Sequence, residues 1–131
     1  MHLERAPADH IDMKNQPFFR RLRHAASGFG AAVKTEASFR TQVVLGAAAG
    51  IVLALLRPPV LWVVLCVLSA ALVLGLELVN TALEHLADHL HPESHAAIRI
   101  AKDCAAAAVL VASVTAIIVG LLTVAVSLRW I

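Results

Sequence analysis

Residues 77 to 88 read Glu77-Leu78-Val79-Asn80-Thr81-Ala82-Leu83-Glu84-His85-Leu86-Ala87-Asp88. On a helix, at 100° per residue, Glu77, Thr81, Glu84 and Asp88 fall within about 60° of one another, with Asn80 at the edge of that arc. Carboxylates and an amide on one stripe are hard oxygen donors, suited to a divalent cation such as Mg²⁺, which takes one or two carboxylates plus substrate phosphates. A further carboxylate can accept a hydroxyl proton. Later in the chain, Lys102 sits beside Asp103, and a lysine is a compact charge suited to a phosphate. Metal ligands, lysine and base are the parts that phosphoryl transfer needs, since it relies on positioning and charge neutralisation. No glycine-rich phosphate loop is present, so a nucleotide site here is of a non-standard kind.

These residues need elements to hold them. Seventeen uncharged and almost wholly apolar residues, Val60 to Leu76, lead into the acidic stripe with no turn residue between. One helix therefore carries both, and acids so near a bilayer need partners or a metal. Composition agrees: the 131 residues are 60% hydrophobic, more than a small soluble domain can hide in one core. The net charge of +2 is too small to argue for nucleic acid. The polar, charged N-terminus gives no expectation of a signal peptide.

The pattern predicts an all-α membrane protein in a single domain, residues 17–131, preceded by a mobile tail over 1–16. Phe18, Phe19, Leu22, Ala25, Ala26, Phe29, Ala32 and Val33 recur at helical spacing, with Arg20, Arg21, Arg23 and Lys34 on other faces. That is an amphipathic basic helix of about 17–35, lying in the membrane interface. Three spans follow, at about 38–57, 60–90 and 96–128. Pro58 and Pro59 end the first and restrict Arg57. A polar turn around Pro92 separates the second from the third, in which Cys104 to Leu128 is twenty-five residues without a charge.

Orientation follows from basic residues. Residues 1–40 hold seven and the loop after the second span holds Arg99 and Lys102, against Arg57 and Arg129 on the other side. The positive-inside bias puts the N-terminus and the acidic stripe on the cytoplasmic side of the membrane, where ATP is found. Glu36 and Arg40 enter the first span at that level, and Lys102 and Asp103 enter the third. Three spans enclose little interior, and the run of alanines near Ala101 and Ala105–Ala108 favours close helix approach, so oligomerisation is expected. Cys66 and Cys104 read as buried free thiols, and Trp62 and Trp130 as interface anchors. His85 and His89 point about 100° away from the Glu84/Asp88 stripe and read as a solvated or headgroup-facing pair. A reading of another class is a membrane scaffold or an ion-pathway subunit, but a lysine at the mouth of a cation path has little use.

The motif E-x-x-N-[ST]-[SA]-x-E-x-x-[VLA]-D, carried here by Glu77, Asn80, Thr81, Glu84 and Asp88, resembles the signature of the small prokaryotic integral-membrane diacylglycerol kinase family. Ala101-Lys102-Asp103 with the alanines after it looks like that family's second hallmark. Glu36-Ala37-Ser38-Phe39-Arg40 looks like its N-terminal segment. Together the blocks span about 90 of the 131 residues. The resemblance implies a homotrimer of three-span subunits in the bacterial inner membrane, with active sites shared between neighbours. It implies transfer of the ATP γ-phosphoryl group, with Mg²⁺, to the primary hydroxyl of a membrane lipid alcohol. Carried over, Glu77 is the general base and Glu36 and Glu84 are metal ligands. Asn80, Asp88, Lys102 and Asp103 orient phosphates and base, His95 lies near the adenine, and Arg40 and Thr81 support. Gln42 and Ala96 depart from the acids that many members carry there. Diacylglycerol is the first reading for the acceptor. Undecaprenol is the alternative, since Lys34-Thr35-Glu36, Asn80-Thr81-Ala82 and Ile100-Ala101-Lys102-Asp103 are similar to the Gram-positive undecaprenol-phosphorylating relatives.

Overall fold

A computed structural model describes residues 17–90 and 95–129. The N-terminal tail, the turn around Pro92 and Trp130 lie outside the described residues. Four helices follow in order: α1 (Phe18–Thr35), α2 (Ala37–Leu56), α3 (Val60–Leu90) and α4 (Ala96–Ser127). The last three are long and apolar enough to cross a membrane, so the expected all-α fold, an amphipathic helix followed by three spans, is the fold observed.

Each boundary has a local cause. Pro17 precedes the first turn of α1, and its carbonyl accepts from the amides of Arg20 and Arg21, which suits a residue with no N–H of its own to satisfy. A single residue, Glu36, breaks the chain between α1 and α2 by adopting an extended backbone (φ −104°, ψ 116°). α2 ends at Arg57, whose amide still bonds Leu53 O, with φ at 50°. This left-handed turn at a non-glycine residue costs about 1–2 kcal/mol, and Pro58 and Pro59 prevent the helix from continuing past it.

Helix length places the polar residues. α3 has 31 residues and α4 has 32, about 46–48 Å at 1.5 Å per residue. A hydrocarbon layer of about 30 Å uses only some twenty of these. The acidic end of α3 and the lysine-bearing start of α4 must therefore reach the interface or pass beyond it. Hydroxyls left within the spans are hidden by bonding back one turn: Ser69 to Leu65 O, Thr115 to Val111 O, Thr123 to Val119 O and Ser127 to Thr123 O.

α3 and α4 pack along each other most extensively, while α2 touches them more thinly. Among the described residues, Ala32, Phe39, Val73, Val109 and Ala112, with Pro58, are the buried apolar ones. A lone chain thus leaves most of its apolar surface for lipid or for neighbours. Cys104, expected to be buried, is exposed in the single chain, where it lines a groove between α3 and α4 with Leu72 and Leu76. Cys66 is half-buried, with Sγ 3.2 Å from Thr123 Oγ1.

Phe39 is fully buried and packs edge-on against Phe29 of α1, with ring centroids 5.0 Å apart. This contact ties the surface helix to the first span. Phe39→Ala should destabilise the protein by about 3 kcal/mol, at the low end for a buried phenylalanine, read as a lower unfolding temperature in detergent micelles. A transition unchanged from wild type would show that α1 is not held by this pair.

Candidate active site

The polar residues at one end of α3 are reached from both sides. From the α1–α2 junction, Ser38 Oγ donates to Glu77 Oε1, and Glu36 Oε1 lies 3.2 Å from His85 Nε2. From α4, Lys102 Nζ donates to Asp88 Oδ1 at 2.9 Å. Within α3, Asn80 Nδ2 donates to Glu84 Oε1 at 3.3 Å. Glu77, His85 and Asp88 on α3 thus receive partners from two other elements, and Glu84 is bonded within its own helix.

Burial differs sharply along the stripe. Glu77 is only 4% exposed and Thr81 8%, whereas Asp88 and His85 are open. The inner end of the stripe is packed among helices, and the outer end meets solvent or headgroups. Lys102 is half-buried, and Glu84 is close enough to add to the attraction that Asp88 exerts on its ammonium. The pair is partly open, so solvent screens it and it adds little to stability. Its weight lies in aiming the lysine, because a lysine so loosely held can exchange its carboxylate for a phosphate.

The fit to Mg²⁺ rests on Asn80. Its Oδ1 is buried with no hydrogen-bond partner among the described residues, while its amide nitrogen is spent on Glu84. A buried carbonyl oxygen left unpaired costs about 1–3 kcal/mol. An amide oxygen beside a carboxylate is the donor chemistry a hard cation takes. No three His, Cys, Asp or Glu side chains are grouped to hold a metal among the described residues. One carboxylate and one amide oxygen suit a cation that completes its shell with phosphates and water, as Mg²⁺ does. Glu36 has Oε1 engaged by His85, which leaves Oε2 as its free donor.

Other candidates take structural places. Arg40 reaches back to α1 and donates to Lys34 O at 3.1 Å and Val33 O at 3.4 Å. It satisfies carbonyls that the helix end leaves without a partner. His95 is the N-cap of α4, its Nδ1 accepting from Ala97 N at 3.3 Å. Asp103 is exposed beside Lys102. Neither His95 nor Asp103 bonds any residue of the acidic stripe among the described residues.

His85 and His89 are exposed, in keeping with a solvated pair. His85 Nε2 in addition meets Glu36, a contact with a site residue that its spacing did not predict. Ser38 is the second residue that sequence reasoning passed over. The available signal was a hydroxyl two residues after Glu36, in the turn that enters the span at the level of Glu77.

The model of the family described as prokaryotic diacylglycerol kinase matches residues 23–124, well over half of the chain. The chain belongs to this family. It is similar to a protein named diacylglycerol kinase from Synechocystis sp., with 41% identity over 100 residues, covering 76% of this chain and 57% of that one. It is also similar to a protein named undecaprenol kinase from Bacillus subtilis, with 34% identity over 115 residues, covering 87% of this chain and 92% of that one. The chain thus spans little more than half the length of the first relative and nearly all of the second.

Proposed function

We propose that this protein is an ATP-dependent lipid kinase that phosphorylates the primary hydroxyl of diacylglycerol to give phosphatidic acid. It works with Mg²⁺ at the cytoplasmic face of the bacterial inner membrane, as a homotrimer. The observation that carries the proposal is the order of groups along α3 and α4. A buried carboxylate, Glu77, is followed outward by Asn80 and Glu84, then by Asp88 with Lys102 donating to it. A lipid hydroxyl approaching from the bilayer meets Glu77 first, and a water-soluble triphosphate approaching from the interface meets Lys102 first.

In the reaction, the lipid O–H proton passes to Glu77, the lipid oxygen bonds to the γ-phosphorus, and the bond from that phosphorus to the β-bridging oxygen breaks to release ADP. Lys102 turns from Asp88 to the phosphates and offsets their charge. Glu84 and the Asn80 Oδ1 would hold Mg²⁺, with Glu36 as the second carboxylate. When bound there, the ion would neutralise negative charge on the phosphates. His95, Asp88 and Asp103 line the nucleotide side, and Thr81 and Arg40 keep α3 and the α1–α2 junction in place.

The apolar part of the lipid has a place too. A cavity of about 440 Å³ between α2, α3 and α4 is lined by Leu45, Cys66, Leu74, Ile117 and Val124, with Gln42 among them. Gln42 Oε1 is buried and unpartnered among the described residues, so it offers an acceptor to a polar group of the lipid. The trimer is supported by the thin packing of α2 and by the glycines of the spans. Apart from the local helix backbone, no atom lies within 4 Å of where a side chain would begin at Gly50 or Gly75, which leaves room for a neighbouring backbone.

The second reading is undecaprenol as acceptor, favoured by the near-complete coverage of the Bacillus relative of that name. Labelled-ATP transfer to a panel of lipid alcohols in mixed micelles separates the two. Lys102→Met should raise the KM for ATP by about 10–100-fold, as expected for the loss of one charge-assisted hydrogen bond, with less effect on the KM for lipid. An unchanged KM for ATP would take Lys102 off the triphosphate.

A further inference from the structure

We infer that Ser38 is a positioning residue for Glu77, a role resting on the reading of Glu77 as the base. α2 begins at Ala37, so Ser38 lies in its first turn, where a serine hydroxyl ordinarily turns to the helix's own free amides. Here Glu36 is the N-cap and no side chain caps α2. The Ser38 hydroxyl instead crosses to α3 and donates to Glu77 Oε1.

Two features give that contact a directional effect. Phe39, the next residue, is fully buried against Phe29, so the turn bearing Ser38 is fixed in place. Glu77 is itself enclosed, and among the described residues Ser38 is its hydrogen-bond partner. A carboxylate on a flexible side chain must point one oxygen at the proton it takes. With Oε1 held by Ser38, the rotation of the carboxylate is set and Oε2 is left for the lipid hydroxyl. A base displaced by about 1 Å costs about a hundredfold in rate.

Ser38 does not act as a packing residue. The residue is exposed in the chain, so truncation opens no cavity.

The test is steady-state kinetics of Ser38→Ala and Ser38→Thr beside Glu77→Gln, in micelles with saturating Mg²⁺. Ser38→Ala should lower kcat by about tenfold to a hundredfold, leave the KM for ATP within about twofold, and unfold at the wild-type temperature. Ser38→Thr, which keeps the hydroxyl, should recover most of the loss. If Glu77→Gln is inactive while Ser38→Ala turns over like wild type, or Ser38→Thr is as poor as Ser38→Ala, the positioning role is overturned and the kinase reading stands. If Glu77→Gln keeps wild-type turnover, the base assignment itself falls and the role of Ser38 with it.

Discussion

Replacing Glu77 with glutamine should abolish lipid phosphorylation while leaving assembly and nucleotide binding largely intact. The substitution keeps the shape of the side chain and keeps a carbonyl oxygen able to accept from Ser38. It removes the ability to take up the lipid proton. Positioned general bases contribute about 10²–10⁴-fold, so the loss should fall in or beyond that range. Glu77 is almost wholly enclosed, which makes a neutral isostere the proper probe: glutamine changes charge without opening a cavity. In the proposed site, nucleotide binding falls to groups further out on α3 and α4, so binding of an ATP analogue should persist within a few-fold. Wild-type turnover would remove Glu77 from the base role. Loss of both assembly and binding would mark it as a structural residue.

Glu84→Ala carries the second large effect. Glu84 accepts from the Asn80 amide nitrogen, and that bond sets the direction of the buried, unpartnered Asn80 oxygen. Removing Glu84 takes away a charged oxygen donor and the partner that orients Asn80. Losing a partner one shell out from a metal typically costs about 10–100-fold in metal affinity or activity, so losing a direct ligand should cost no less. The expected result is a Mg²⁺ requirement raised by at least that factor, or no activity at any accessible concentration. An unchanged Mg²⁺ titration would show that the cation is held elsewhere, and Glu36 with His85 would be the first place to look. Asn80→Ala should shift the Mg²⁺ titration in the same direction, with a smaller effect, because it removes a neutral donor.

The helices were legible in the sequence because the forces that form them are local. Apolar runs bounded by Pro17, by Arg57-Pro58-Pro59 and by the polar segment after Leu90 mark where a chain in lipid must close its backbone hydrogen bonds within itself. The α3 stripe was legible for the same reason: a 100° step places Glu77, Thr81, Glu84 and Asp88 on one face whatever surrounds them. The Lys102–Asp88 contact was anticipated only as a shared level in the membrane, and the fold makes it a hydrogen bond.

What the sequence hid is the angle at which elements meet. His85 lies off the acidic stripe, and nothing in its spacing says that the α1–α2 junction comes to it from the side. The same junction brings Ser38 onto Glu77 and turns Arg40 back to cap α1. All three contacts depend on the one-residue extended break at Glu36, whose geometry no periodicity encodes. Cys104 illustrates the other gap. An apolar neighbourhood in sequence predicts burial, but in a membrane chain an apolar face is as readily turned to lipid or to another subunit.

Transfer of ³²P from γ-labelled ATP to lipid is the most direct measurement. Purified protein in mixed micelles with Mg²⁺ is offered diacylglycerol, undecaprenol or no lipid, for wild type and for Glu77→Gln in parallel. The predicted result is label in the lipid fraction with wild type, in diacylglycerol above undecaprenol, and none with Glu77→Gln. No label in any lipid from a folded, ATP-binding protein, or equal label from the two proteins, would contradict a site in which Glu77 takes the proton of a lipid alcohol.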